Sequence, residues 1–346
     1  MDSLSQFALG AAVGVAVMGR RTAVWKAALW GGICGTLPDL DSFIDHGDPV
    51  SNMTLHRGDS HALFWLTLVA PALAWLPARL HDAGRGYRRW WLMVWLALVT
   101  HPLLDLMTVY GTQLGRPFTD FPFAVGSIFI IDPLYTLPLV VGLAIALRSG
   151  AQRGWRWNAA GLLLSTAYLG WSFAAQQHVS RIAGESIAAQ GIDAQRVLVT
   201  PTAFNTVLWR VLVMTPGGYH EGFHSLLDSD RQVAFDRFDA GTELYQRLDG
   251  ASPAVDRVAR FSHGFFGLSQ RDEQVLISDL RMGQEPSYIF TFVVARRLAD
   301  RLNPLDVPRM AGSRPDVAAG LRWIWRRAAG ERIAPPRHGA SGLDPG

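Results

Sequence analysis

The chain has 346 residues, of which 49% are hydrophobic and only 18% charged, with a net charge of +3 and a mean hydropathy of +0.14. That balance is too apolar for a disordered chain or an ordinary soluble enzyme. The basic charge is arginine apart from Lys26, and the first-half arginines cluster between apolar runs, which fits membrane topology and argues against a nucleic-acid partner.

Up to about Gln177 the sequence is a series of apolar runs broken by short basic or turn-rich pieces, and beyond it charges recur every few residues. This predicts a multi-pass α-helical membrane domain over residues 1–177, a small α+β soluble domain over 178–334 and a disordered Gly/Pro/Ser-rich tail over 335–346. Met1 to Gln6 carry no basic residue, so no cleavable signal peptide is expected. The single cysteine, Cys34, lies in an apolar run and excludes an intramolecular disulfide.

About six spans are expected, over residues 4–19, 24–37, 61–76, 90–110, 127–147 and 157–175, each near the roughly 20 apolar residues a bilayer requires. The first three are short and rich in Gly and Ala, which suits close packing inside a bundle. Arg20, Arg21, Lys26, Arg79, Arg85, Arg88, Arg89, Arg148, Arg153 and Arg156 fall in alternate connections, whereas the others hold only Arg57 and Arg116. Basic connections stay in the cytoplasm, so both termini and the C-terminal domain are predicted to be extracytoplasmic, at the inner (cytoplasmic) membrane.

Acidic and histidine residues then gather at one predicted depth, near the outer interface. Asp39 and Asp41 follow the second span, His56-Arg57-Gly58-Asp59-Ser60-His61 opens the third, and His101 and Asp105 lie four apart in the fourth. Spacing of four puts two helical side chains on one face. Charges near a membrane core persist when they are paired or functional, and carboxylates with imidazoles suit zinc, manganese or iron better than calcium or magnesium. The candidate metal ligands are Asp39, Asp41, His56, His61, His101 and Asp105. The candidate catalytic residues are Asp132, Arg57 and Asp59: either aspartate as proton acceptor, and Arg57 as an oxyanion contact or a loop counter-charge. Asp132 also reads as a cavity residue paired with Arg57 or Arg116, and His46 and Asp48 as solvated loop residues.

These motifs resemble the membrane-bound metal-dependent hydrolases, also called the YdjM-like inner-membrane proteins. The opening Met1-Asp2-Ser3-Leu4-Ser5-Gln6, the run Gly35-Thr36-Leu37-Pro38-Asp39-Leu40-Asp41, His56-Arg57-Gly58 with Ser60-His61, and His101-Pro102-Leu103-Leu104-Asp105 carry the resemblance. Ser60 stands where the family commonly has threonine, and Ala62 where it has serine. The hydroxyl before His61 is kept, and any role of the later serine is lost. The resemblance implies a hydrolase without naming a substrate.

In the second half, residues 196–200, 207–213, 274–277 and 288–294 are rich in β-branched and aromatic side chains and predict strands. Residues 241–248 and 253–262 predict helices. Asn205, Trp209, His263, Asp279 and Arg281 resemble residues that recur in the family's tail and are equally explained by packing and surface pairing. The expected function is hydrolysis of an ester or phosphoester of a lipid or envelope component at the outer face of the membrane. The alternative is a non-enzymatic membrane protein with a structural or regulatory metal site and a partner-binding outer domain.

Overall fold

The computed structural model describes residues 1–82, 86–298, 301–311 and 316–337. The chain divides into two compact units: Met1–Ile44, His56–Ala174 and Ala203–Asn205 form the first, and Asp45–Leu55, Ala175–Thr202 and Thr206–Gly346 the second. A helical N-terminal region is followed by a β-sheet C-terminal domain.

In the first unit, α1 (Ser3–Met18) and α2 (Val24–Thr36) pair closely, and α2 runs into a 3-10 helix over Leu37–Phe43. Asp2 caps α1 by accepting the Leu4 and Ser5 amides. Gly10 and Gly31 set the spacing, because a Cβ on Gly31 would lie 2.2 Å from the Gly10 carbonyl oxygen. The short helix α3 (Pro49–Leu55) belongs to the second unit, with Asp48 accepting the Val50 and Ser51 amides at its start. The first unit resumes with a 3-10 turn over Asp59–His61, α4 (Leu63–Asp82) and α5 (Tyr87–Leu106).

The long helix α6 (Pro133–Ala189) folds back on itself: Ser165 donates to the Tyr135 carbonyl at 2.7 Å, and a Cβ on Gly154 would lie 2.6 Å from the Ala146 oxygen. Thirty residues of straight helix would span about 45 Å, so the chain reverses between Ala146 and Gly154. The fifth and sixth predicted spans fall largely on these two arms, although residues 127–132 are irregular.

Inside this unit the core mixes alanines such as Ala8, Ala11, Ala12, Ala70, Ala74 and Ala97 with Trp90, Met93 and Leu98, while Leu68, Trp75, Leu80, Leu137 and Leu163 are exposed. Large apolar side chains on the outside in such number are unusual for a water-soluble domain. Six spans are predicted; among the described residues one segment, Leu63–His81, is both long and apolar enough to cross a membrane, and the apolar helices Ser3–Met18 and Pro133–Ser149 are shorter.

The second unit holds two four-stranded antiparallel sheets. One has the order β1 (Arg196–Pro201), β2 (Leu208–Thr215), β3 (Gly218–Ser225), β4 (Phe235–Phe238). The helices α7 (Thr242–Leu248) and α8 (Pro253–Phe261) follow. The other sheet orders its strands as β10, β9, β6, β5: β5 (Phe266–Arg271), β6 (Gln274–Asp279), β9 (Thr291–Leu298) and β10 (Arg301–Met310), with β7 (Gly283–Gln284) and β8 (Ser287–Tyr288) forming a small ladder. The last element is α9 (Val317–Ala328).

Strand β2 is buried on both faces, Trp209, Val211 and Val213 against the end of α6, and Leu212 and Met214 against Tyr219, Leu280 and Tyr288. A strand sandwiched this way reads as a continuous apolar run. Its Arg210 donates to Glu221 of β3 at 2.6 Å and to the Leu280 carbonyl at 2.7 Å, so the buried charge is paired. Burial, reinforced by Tyr288 and Glu285, holds the Tyr219 phenol well above its ordinary range, and it donates to Glu285. Arg337 ion-pairs with Asp236 at the start of the predicted tail, and residues 338–346 lie outside the described residues.

Candidate metal centre

The chain positions its acidic and histidine residues with three turns and one helix end. Pro38, the second residue of the 3-10 helix after α2, has its own φ fixed at a helical value directly before Asp39. Arg57 adopts the left-handed region with φ of 63°, an uncommon conformation for a residue with a side chain. It is held there from both sides: its N–H donates to Asp41 Oδ2 at 3.0 Å and its carbonyl accepts the Gln113 N–H at 3.0 Å. His101 and Asp105 occupy the last turns of α5 on one face.

These elements bring Asp39, His61, His101 and Asp105 together, one possible ligand atom from each lying within 4.8 Å of the others. His101 Nε2 is 3.1 Å from His61 Nε2. Asp39 Oδ1 lies 3.4 Å from both of these nitrogens, and Asp105 Oδ2 lies 3.4 Å from that of His61 and 3.3 Å from that of His101. Both histidines and Asp105 are buried, and the Asp39 side chain is 19% exposed.

The surrounding hydrogen bonds assign the tautomers. His101 Nδ1 faces the Gly35 carbonyl at 2.6 Å and can only donate to it. Ser60 Oγ donates to Asp41 Oδ2 and is 2.8 Å from His61 Nδ1, so it accepts from that ring. With Nδ1 protonated on both, neutral rings turn two Nε2 lone pairs toward each other at 3.1 Å and toward two carboxylate oxygens. Asp105 Oδ2 has no hydrogen-bond partner, although it is fully buried. Four electron pairs with no donor between them repel one another, and a cation at the centre removes the conflict.

The spacing fits as well. An ion about 2.1 Å from each donor sets adjacent donors about 3.0 Å apart in an octahedron and about 3.4 Å apart in a tetrahedron. The cluster therefore could bind a metal ion. Asp105 Oδ1, the outward oxygen, is neutralised separately by Arg57 Nη2 at 3.2 Å, the Gln6 amide at 3.1 Å and the Met1 amino group.

Asp41 and His56 lie beside this cluster, paired with each other at 2.8 Å through His56 Nδ1. Asp41 thereby ties together His56, the Arg57 backbone and, through Ser60, the His61 ring. Arg57 is buried, stacks over Tyr110 at 4.9 Å and reaches Thr108 at 3.3 Å. Asp59 is exposed and pairs with Arg116 at 2.9 Å. Asp132 caps α6, accepting the Leu134 amide at 3.0 Å and the Tyr168 hydroxyl at 2.9 Å. Sequence reasoning missed Gln6 as a support for the site; the signal was an amide inside the apolar α1, whose Nε2 also reaches the His101 carbonyl at 3.2 Å.

No solved structure matches this chain. It is similar to "Uncharacterized protein YfhP" of Bacillus subtilis (strain 168), 27% identical over 248 residues that cover 67% of this chain and 72% of that protein. A family model described as YdjM inner membrane protein matches residues 1–179, which contain every residue of the cluster. The chain belongs to the YdjM inner membrane protein family.

Proposed function

We propose that the protein is a metal-dependent hydrolase of the inner membrane that cleaves an ester or phosphoester of a lipid or envelope component. The observation that carries this reading is the unpartnered Asp105 Oδ2 facing two imidazole lone pairs and Asp39. The two-imidazole, two-carboxylate set favours zinc, then manganese or iron. Such an ion supplies Lewis acidity and lowers the pKa of water from 15.7 toward about 7.

His56 is the better proton acceptor than Asp132 or Asp59. Its Nδ1 is held by Asp41, its side chain is 25% exposed, and its ring lies edge-on to His61 with centroids 5.9 Å apart. A carboxylate on Nδ1 leaves Nε2 to take the proton. Arg57 is committed to Asp105 and acts as a counter-charge to the ligand. The 3-10 helix that carries Asp39 and the residue after it expose Leu40, Phe43 and Ile44, the first turn of α4 exposes Phe64 and Trp65, and Phe118 packs edge-on against Phe64, which supports a substrate that arrives from lipid.

The alternative is a structural or regulatory metal, with the C-terminal domain binding a partner. It is favoured by the presence of four protein donors, enough to close a tetrahedral site. Metal analysis of detergent-purified protein, with hydrolysis assays on phospholipids and model esters, separates the two. His56→Ala should keep its metal and lose about 10² to 10⁴ in turnover. Stoichiometric metal without turnover on any of these substrates would favour the structural reading, and loss of metal in His56→Ala would make His56 a ligand.

The proposed topology has six crossings over residues 1–177, with the domain over 178–334 on the extracytoplasmic side, as the placement of basic connections supports. Alkaline phosphatase fused after Gln177 should therefore be active. An inactive fusion, with a cytoplasmic reporter active at the same junction, would overturn this orientation.

A further inference from the structure

The second unit contains a cleft of about 790 Å³ whose lining includes Arg196, Thr215, Thr242, Tyr245, Arg260 and His263. That volume lies in the range of small-molecule sites. Its charges are unevenly committed. Of the two lining carboxylates, Asp249 accepts the Tyr245 hydroxyl at 3.3 Å and Asp256 the Gly250 amide at 3.3 Å. Neither Arg196 nor Arg260 has an ion-pair or side-chain hydrogen-bond partner among the described residues.

The isolation of Arg260 is informative because Asp256 sits four residues earlier on α8, the spacing at which opposite charges pair along a helix. The guanidinium instead stays unpaired on the cleft. Arg196, at the start of β1, lies across the turn that ends α8. There Gly264 has φ of +80°, and a Cβ would come within 2.7 Å of Arg196 Nε, so the absence of a side chain makes room for the arginine.

We propose that this cleft binds a phosphorylated ligand, with the guanidinia of Arg196 and Arg260 on its phosphate oxygens. Two planar guanidinium forks match the several acceptor oxygens of a phosphate group, and the Thr242 hydroxyl adds a donor to the same wall. This site is independent of the metal centre in the first unit and does not rest on the hydrolase reading.

The test uses full-length protein in uncharged detergent, freed of divalent ions by chelation so that the metal centre cannot hold the probe. Calorimetric titration with inorganic diphosphate should give saturable binding. Arg196→Gln and Arg260→Gln should each weaken it by about tenfold, as loss of a charged hydrogen bond implies, while Arg322→Gln, on the exposed face of α9, should leave it unchanged. Arg196→Lys and Arg260→Lys keep the surface charge and guard against misfolding; they should still bind several-fold more weakly, because the fork is lost. Glycerol 3-phosphate tested against phosphatidylglycerol vesicles distinguishes a soluble ligand from a lipid headgroup. Absence of saturable diphosphate binding, wild-type affinity in the arginine variants, or an equal loss in Arg322→Gln would overturn the proposal.

Discussion

Asp105→Ala is expected to abolish stoichiometric metal binding and to destabilise the metal-free protein by about 3–5 kcal/mol, the usual consequence of stranding a buried charge. Two different oxygens carry the two effects. Oδ2 faces the histidine pair, and Oδ1 faces Arg57, whose guanidinium is buried and whose Nε already lacks a partner. Asp105→Asn keeps the volume and a contact for Gln6 but removes the charge, so it should lose metal as completely while remaining less damaging than alanine. Thermal unfolding in detergent, with chelator and with added zinc, separates the two contributions: wild type should gain stability from the ion and Asp105→Ala should not. A metal-free Asp105→Ala as stable as the metal-free wild type would show that the Arg57 pairing contributes nothing to folding. Full metal content in the same variant would remove Asp105 from the centre.

Much of the cluster could be read from spacing alone. His101 and Asp105 share a face because they are four apart on a helix, and the close approach of α1 to α2 follows from their glycines. The division of labour between Asp39 and Asp41 could not be read in this way. They lie on a 3-10 helix, where positions two apart point about 120° away from each other, so Asp39 faces the histidine pair while Asp41 turns toward His56 and Ser60. The left-handed backbone at Arg57 has no strong sequence signal, since the favourable residue there would be glycine.

Asp132 did carry a competing signal. An aspartate followed by proline is a helix start, and the capping geometry of Asp132 answers the cost of burying its charge without a place in the cluster. In the second unit, β3 hid behind a polar sequence, Gly218 to Ser225, because its Glu221 is neutralised by Arg210 of the neighbouring strand. Strand β10 hid behind Pro304 and Pro308, which an edge strand tolerates where a register break interrupts the ladder.

Gly31→Val should damage the metal centre without touching it. The backbones of α1 and α2 approach so closely that a Cβ on Gly31 would sit 2.2 Å from the Gly10 oxygen and 3.0 Å from the Gly14 Cα. Both atoms are backbone, so relief requires the helices to separate, and overpacking of this kind costs about 1–3 kcal/mol or more. The consequence travels one helical turn along α2, because the Gly35 carbonyl holds His101 Nδ1 and the 3-10 helix bearing Asp39 begins directly after Thr36. Displacing supports that orient a ligand typically weakens metal affinity by about 10- to 100-fold. Gly170→Val, at a glycine with open space where the side chain would stand, is the matched control and should bind metal normally. Equal metal affinity in Gly31→Val and Gly170→Val would mean that the α1–α2 contact does not set the position of the ligands, and that α5 and the Asp59–His61 turn hold the centre by themselves.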